Sequence, residues 1–183
     1  MFLFSSSCYN ASKETLDCMH KPTALFLGRF QPFHNGHLLV LQGMTKVCGK
    51  ILIGIGSSDK SRTAENPFSA AVRKEMIQRA LQAKDLIPMF DIHLIDLPDE
   101  TDDEVWRTKV LELTGPVDKV WTGNEWTKKC FEGHVEVQNI KVVPGISGTE
   151  IRGKMRAGGN WQDQVPKEVA GYIQEQDLLS QIK

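Results

Sequence analysis

The sequence predicts a doubly wound α/β domain built on a five-stranded parallel sheet. Three observations carry that expectation. Five short apolar runs show almost no polar alternation, which marks strands covered on both faces. Amphipathic stretches with helical spacing lie between the runs, so the chain reads as βαβ units. The unusual polar stretches follow the runs, and ligands in such sheets bind beyond the carboxyl ends of the strands.

Taken in order, Ala24–Phe30 is the first strand, and Gly36–Val47 the helix that follows it. Ile51–Gly56 is the second strand. In "SAAVRKEMIQRALQ", Val72, Met76, Ala80 and Leu81 share one face, and Lys74, Glu75, Gln78 and Gln82 another, as an amphipathic helix requires. Ile92–Leu97 is the third strand and Asp103–Leu113 a helix, followed by strands at Lys119–Thr122 and Val135–Val143. Helices at Thr149–Ala157 and Lys167–Leu179 complete the pattern. No internal repeat, low-complexity block or linker divides the chain, and 183 residues suit one domain with a single core.

Composition narrows the function classes. With 22 Lys+Arg against 23 Asp+Glu the net charge is -1, so nothing favours a global grip on nucleic acid or an acidic membrane. Any anionic ligand must be held by a local cluster. Cys8, Cys18, Cys48 and Cys130 have neither CxxC nor metal-finger spacing, which points to free thiols in a reducing cytoplasm. No apolar run approaches the ~20 residues that cross a bilayer. Residues 1–20 lack a basic n-region and an adequate apolar h-region, and Glu14 and Asp17 count against a mitochondrial presequence. They are expected to be a flexible extension or an upstream start before Met19, with the domain spanning residues 21–183.

Four stretches fall at strand ends: "GRFQPFHNGH" (28–37), "GSSDKSRTAENPF" (56–68), "TGNEW" (122–126) and "GISGTEIRGKMR" (145–156). In the first, His34 and His37 flank Gly36 where a strand hands over to a helix. The helix start offers unpaired N–H groups to an anion, Gly36 has no Cβ to obstruct it, and the two imidazoles add donors on the same face. One core histidine, or a zinc pair, is the competing reading, but no HExxH or third ligand follows. In "ISGTEIR", Ser147 or Thr149 can cap a helix, and Arg152 lies one turn inside it, near enough to neutralise phosphate. There is no GxxxxGK[ST] loop, "GIGSSD" lacks the last glycine of GxGxxG, and "GISGTE" misses GxSxG by one residue. His134 and Glu136 form an HxE without a following PCxxC, which excludes a zinc deaminase.

GRFQPFHNGH with ISGTEIR resembles the HxGH and ISxTxxR signatures of the nucleotidyltransferase superfamily. The spellings "GRFQPFHNGHL", "IGIGSSDKSRTAENPFSAAVR", "VWTGNEW" and "SGTEIRGKM" are similar to archaeal-type nicotinamide mononucleotide (NMN) adenylyltransferases, from about Ala24 to about Ile173. The resemblance implies a Rossmann-like single domain with strand order 3-2-1-4-5. It also implies transfer of AMP from ATP to NMN, giving NAD and pyrophosphate, with Mg²⁺ carried by ATP and no covalent intermediate. Beside the resemblance, the cysteine usage, balanced charge and short apolar runs lead to the expectation of a cytoplasmic protein with neither nucleic acid nor membrane as partner, and a homo-oligomer is expected.

Carried onto this chain, the resemblance makes His34, His37, Arg29 and Arg152 the catalytic set. His37 would meet the α-phosphate and His34 the departing phosphates, with Arg29 and Arg152 neutralising the rest and Ser147 and Thr149 closing over them. Gly28, Phe30 and Gly36 join the ATP site, and Gly123 and Asn124 supply adenine contacts, although relatives read "SGNP" where this chain has "TGNEW". No residue is assigned to a protein-bound metal. The nicotinamide pocket maps to Asp99 and Trp106, with Trp106 stacking on the ring and Asp99 accepting from its carboxamide or ribose. Trp106, Val110 and Leu113 also fit the buried face of a helix. "LPDETDDEVW" carries five carboxylates in ten residues, an odd setting for a phosphate-bearing acceptor. The alternatives are another acceptor (FMN, phosphopantetheine or nicotinic acid mononucleotide) and a nucleotide-binding regulatory module without catalysis. The latter predicts a damaged HxGH or a missing Arg152, and both are intact.

Overall fold

The computed structural model describes residues 21–141 and 143–182. The extension expected at residues 1–20, with Cys8, Cys18 and Met19, lies outside them. Strands β1 (Thr23–Gly28), β2 (Lys50–Ile55), β3 (Asp91–Asp96), β4 (Lys119–Thr122) and β5 (Glu136–Asn139) form one parallel sheet. Its order is β3-β2-β1-β4-β5, as the resemblance implied. The described helices are α1 (Asn35–Val47), α2 (Ala70–Gln82), α3 (Leu86–Met89), α4 (Asp103–Thr114), α5 (Glu125–Phe131), α6 (Gly148–Arg156) and α7 (Lys167–Glu175).

Strand alternation sends the two sets of β1 side chains into different layers. Ala24 and Phe26 join the core under α1, α2, α6 and α7, while Leu25 and Leu27 join the core under α4 and α5. Gly54 is required in β2 because a Cβ there would lie 2.5 Å from Leu97 and 2.7 Å from Leu27. Coverage on both faces holds for β1 and β2. The edge strands β3 and β5 are half open, with His93 of β3 forming an exposed pair with Asp91.

Some boundaries differ from the sequence pattern. β1 stops at Gly28 because Phe30 turns into the left-handed region (φ 52°). The helix expected over 167–179 ends at Glu175, since Asp177 is also left-handed (φ 48°), and a 3₁₀ turn follows at Leu178–Gln181. Helices α3 and α5 were not foreseen, being too short for a 3.6-residue period to register.

Register brings the strand ends level. Gly28 pairs with Ile55, and Ile55 with Asp96, while Phe26 pairs with Trp121. The segments after β1, β2, β4 and β5 therefore emerge along one edge of the sheet, with β1 at its centre.

Candidate active site

His34 is the N-cap of α1, and its extended backbone (φ -131°) lets the ring fold back over the first turn. The amide of His37 donates to His34 Nδ1 at 3.3 Å, and the amide of His34 donates to His37 Nδ1 at 3.2 Å. This reciprocal cap stacks the two imidazoles with centroids 3.5 Å apart and planes 17° apart. A Cβ on Gly36 would lie 3.1 Å from His34 Nδ1, so this glycine makes room for the ring. Each Nδ1 accepts an N–H, so in the neutral rings the proton resides on Nε2.

Burial lowers the His34 pKa to about 4. Burial, and then repulsion from His34, hold His37 well below the ordinary histidine value. Both rings are neutral donors at neutral pH in the free protein. The folded pKa is depressed, so this contribution to stability is complete above about pH 6.5 and is lost as pH falls towards 4. For His34 alone the loss is about 2 kcal/mol at pH 5. Urea midpoints at pH 7 and pH 5 should converge between wild type and His34→Asn as acid removes the wild-type advantage; parallel pH slopes would show that the ring titrates normally.

His34 and His37 stand between two recesses. The polar one, of about 140 Å³, is lined by Arg29, Phe30, Gln31, His34, His37, Gly148, Thr149 and Arg152. Phe30 turns its ring into the core, where it packs edge-on against His37 at 4.8 Å. Gln31 ties the loop down, donating from Nε2 to the Phe68 carbonyl at 2.8 Å and accepting from its amide at 3.0 Å. Arg152 donates to the Gln31 carbonyl at 2.8 Å and to Thr149 Oγ1 at 3.3 Å. Its Nε is buried with no partner, and burial lowers its pKa. An unpaired buried guanidinium N–H is a donor awaiting an acceptor. Arg29, about half exposed, reaches Glu65 at 3.4 Å, an ion pair of little energetic weight. Ser147 caps α6 through the amide of Glu150 (3.2 Å) and donates its hydroxyl to the Glu150 carboxylate (3.0 Å).

The apolar recess, of about 190 Å³, is formed by Phe26, His34, Gly36, His37, Val40, Gly123, Ile140, Lys141, Val143, Ile146, Ser147 and Gly148. A third recess, of about 240 Å³, lies across Arg29 from the polar one and holds Gly28, Asp99, Trp106 and Asn124 with Gly56, Ser57, Trp126 and Thr127. Asp99 is engaged there by Ser57 Oγ at 3.0 Å and by the Lys60 ammonium, a contact that raises the Lys60 pKa. The structure thus places Gly123 in the apolar recess and Asn124, the cap of α5, in the third. Trp106 and Val110 are buried as the helix-face reading required, whereas Leu113 is exposed.

Two residues at this edge were not foreseen. Trp126 lines the third recess with an exposed indole. Arg73 is fully buried, and its guanidinium donates to the carbonyls of Arg29 (2.8 Å), Gly56 (2.7 Å), Ser57 (3.0 Å) and Ser69 (3.3 Å). Burial draws its pKa down to about 10, so it remains charged. Its sequence signal was a charge on the same helix face as Met76, Ile77 and Ala80.

The cytidylyltransferase-like family model matches residues 25–154. A Thermococcus kodakarensis protein named nicotinamide-nucleotide adenylyltransferase is 39% identical over 162 residues, covering 87% of this chain and 86% of that one. A Thermoplasma volcanium protein of the same name is 37% identical over 163 residues, covering 87% and 90%. Among solved structures, a bifunctional NMN adenylyltransferase/ADP ribose pyrophosphatase from Francisella tularensis, complexed with AMP and a manganese ion, superposes with a TM-score of 0.71 at 22% identity. That match covers 88% of this chain but 52% of the other, so this chain spans about half the length of the Francisella protein.

Proposed function

Because the chain belongs to the cytidylyltransferase-like family, we propose that it transfers AMP from ATP to nicotinamide mononucleotide, forming NAD and pyrophosphate. The observation that carries this reading is the chain of three adjoining recesses. His34 and His37 are shared by the apolar and polar ones, and Arg29 by the polar and third ones. An adenosine half in the apolar recess puts the phosphates among the donors and leaves the third recess for the acceptor.

The 5′-phosphate oxygen of the acceptor attacks the α-phosphorus. One P–O bond forms as the bond to the β-phosphate bridge breaks, and pyrophosphate leaves. The chain supplies position and charge neutralisation. Neutral Nε2–H groups of His37 and His34 face the α-phosphate and the departing phosphates. Arg152, through its unpartnered Nε, and Arg29 neutralise the remainder. Thr149 orients Arg152, and Ser147 holds the start of α6. The cationic and N–H donors of the polar recess suit phosphate oxygens, and Mg²⁺ carried by ATP would add charge neutralisation at the phosphates.

A cytoplasmic setting and self-association belong to the same proposal. The free, buried thiols of Cys48 and Cys130 support the reducing setting. The test is incubation with ATP, Mg²⁺ and a panel of mononucleotides, with the dinucleotide and pyrophosphate measured. NAD from NMN is the expected product; a dinucleotide formed only with another acceptor would reassign the third recess.

A further inference from the structure

We infer that Gln164, acting with Asn35, is a positioning residue for ATP: through one 3₁₀ turn the two side chains fix the width of the apolar recess. The inference rests on the reading of that recess as the adenosine site. Part of its lining is the start of α1, with Gly36, His37 and Val40, and another part is the segment 143–148 that leads into α6. The 3₁₀ turn, Gln162–Gln164, is bonded to both. Asn35 Nδ2, at the first residue of α1, donates to the Asp163 carbonyl at 3.0 Å, and Gln164 Nε2 donates to the Gly145 carbonyl at 2.6 Å.

The 3₁₀ turn is a firm anchor. Trp161 and Val165, on either side of it, are buried in the core, the Gln164 amide donates to the Trp161 carbonyl at 3.0 Å, and Asn160 Nδ2 donates to Asp163 Oδ2 at 2.7 Å. What it holds is exposed. Pro144 and Gly145 form a surface turn, closed by the Ile146 amide on the Val143 carbonyl at 3.1 Å, with Gly145 in the left-handed region (φ 76°) that the third position of a Pro-Gly turn needs. Next to it, Ile146 reaches over Gly36, where an added Cβ would lie 3.9 Å from its Cγ2. Movement of Gly145 therefore carries Ile146 away from the helix start that bears His34 and His37. A wall pinned in the free protein needs no ordering when ATP binds, which is what preorganisation contributes to affinity.

Methionine at position 164 keeps the length of the side chain and removes the donor. Gly145 is exposed, so water replaces the lost bond to its carbonyl, whereas Gln164 Oε1 is buried with no partner and its removal costs nothing. Gln164→Met should therefore melt within about 3 °C of wild type. It should bind ATP about three- to tenfold more weakly, the worth of one hydrogen bond, with the Kd measured in the absence of acceptor. The KM for NMN at saturating ATP, and kcat, should stay within about twofold, because the third recess and the phosphate donors lie outside the clamp. Asn35→Ala should weaken ATP binding to the same extent. The double variant should be no worse than either single one, since either break frees the wall.

An ATP Kd within about twofold of wild type in Gln164→Met overturns the inference, as does an equal weakening for ATP and NMN. Early melting would assign the amide to the core, and losses that multiply in the double variant would make the two contacts independent; either result also overturns it. If wild type binds ATP and makes no NAD, the proposed reaction fails while the Kd comparison still decides the clamp. If wild type binds no ATP, the reading of the recess fails first and the inference falls with it.

Discussion

Replacing His37 with alanine is expected to lower turnover about 10²–10³-fold while ATP still binds, the usual cost of one preorganised donor to developing charge. Phe33 stacks on the ring at 5.5 Å, Phe30 meets it edge-on at 4.8 Å, and the His34 amide fixes its Nδ1. The Nε2–H needs no reorganisation when charge moves onto the phosphates. Because the ring is neutral, the loss should be similar from pH 6 to pH 8. Single-turnover rates at saturating substrate, with ATP affinity measured separately, make the check. A variant within about threefold of wild type would remove His37 from the reaction.

Replacing Arg73 with methionine is expected to cost stability, and its largest functional effect should fall on the acceptor. The guanidinium spans the carbonyls flanking two residues held in the left-handed region, Phe30 (φ 52°) and Ser57 (φ 48°). The carbonyls of Ser69 and Ser57 also accept from the amides of Arg73 and Lys60, so they stay satisfied. Those of Arg29 and Gly56 depend on the guanidinium, and each buried acceptor left unpaired costs about 1–3 kcal/mol. Relief of the buried charge offsets part of this, leaving a net loss of about 2–5 kcal/mol. Arg73→Lys should recover little, since an ammonium cannot fork across four carbonyls. Urea midpoints give the stability. A KM for NMN that rises more than that for ATP would reflect the loosened walls at Arg29 and Ser57. A methionine variant of wild-type stability would mean that these loops hold their own conformation.

What the sequence by itself determined is what local pattern encodes. The alternation of apolar runs and amphipathic stretches specifies a parallel sheet covered by helices, because side-chain periodicity depends on the chain's own geometry. The polar stretches after β1, β2, β4 and β5 locate the cleft, because all strands of such a sheet end on one side. The His34–Gly36–His37 helix start is equally local, as its caps span three residues. Strand order came with the resemblance, not from pattern.

Tertiary structure decided which segments meet. Arg152 of α6 satisfies the Gln31 carbonyl, 121 residues away, and Arg73 joins the loops after β1 and β2. Gly123 and Asn124, neighbours in sequence, line different recesses, with Asn124 turned to cap the start of α5. The pairing of Trp106 with Trp126 follows from the packing of α4 on α5. Periodicity tells which face of a helix is buried and nothing of what it is buried against. Whether an indole is core or binding surface depends on how much of it a neighbouring helix covers.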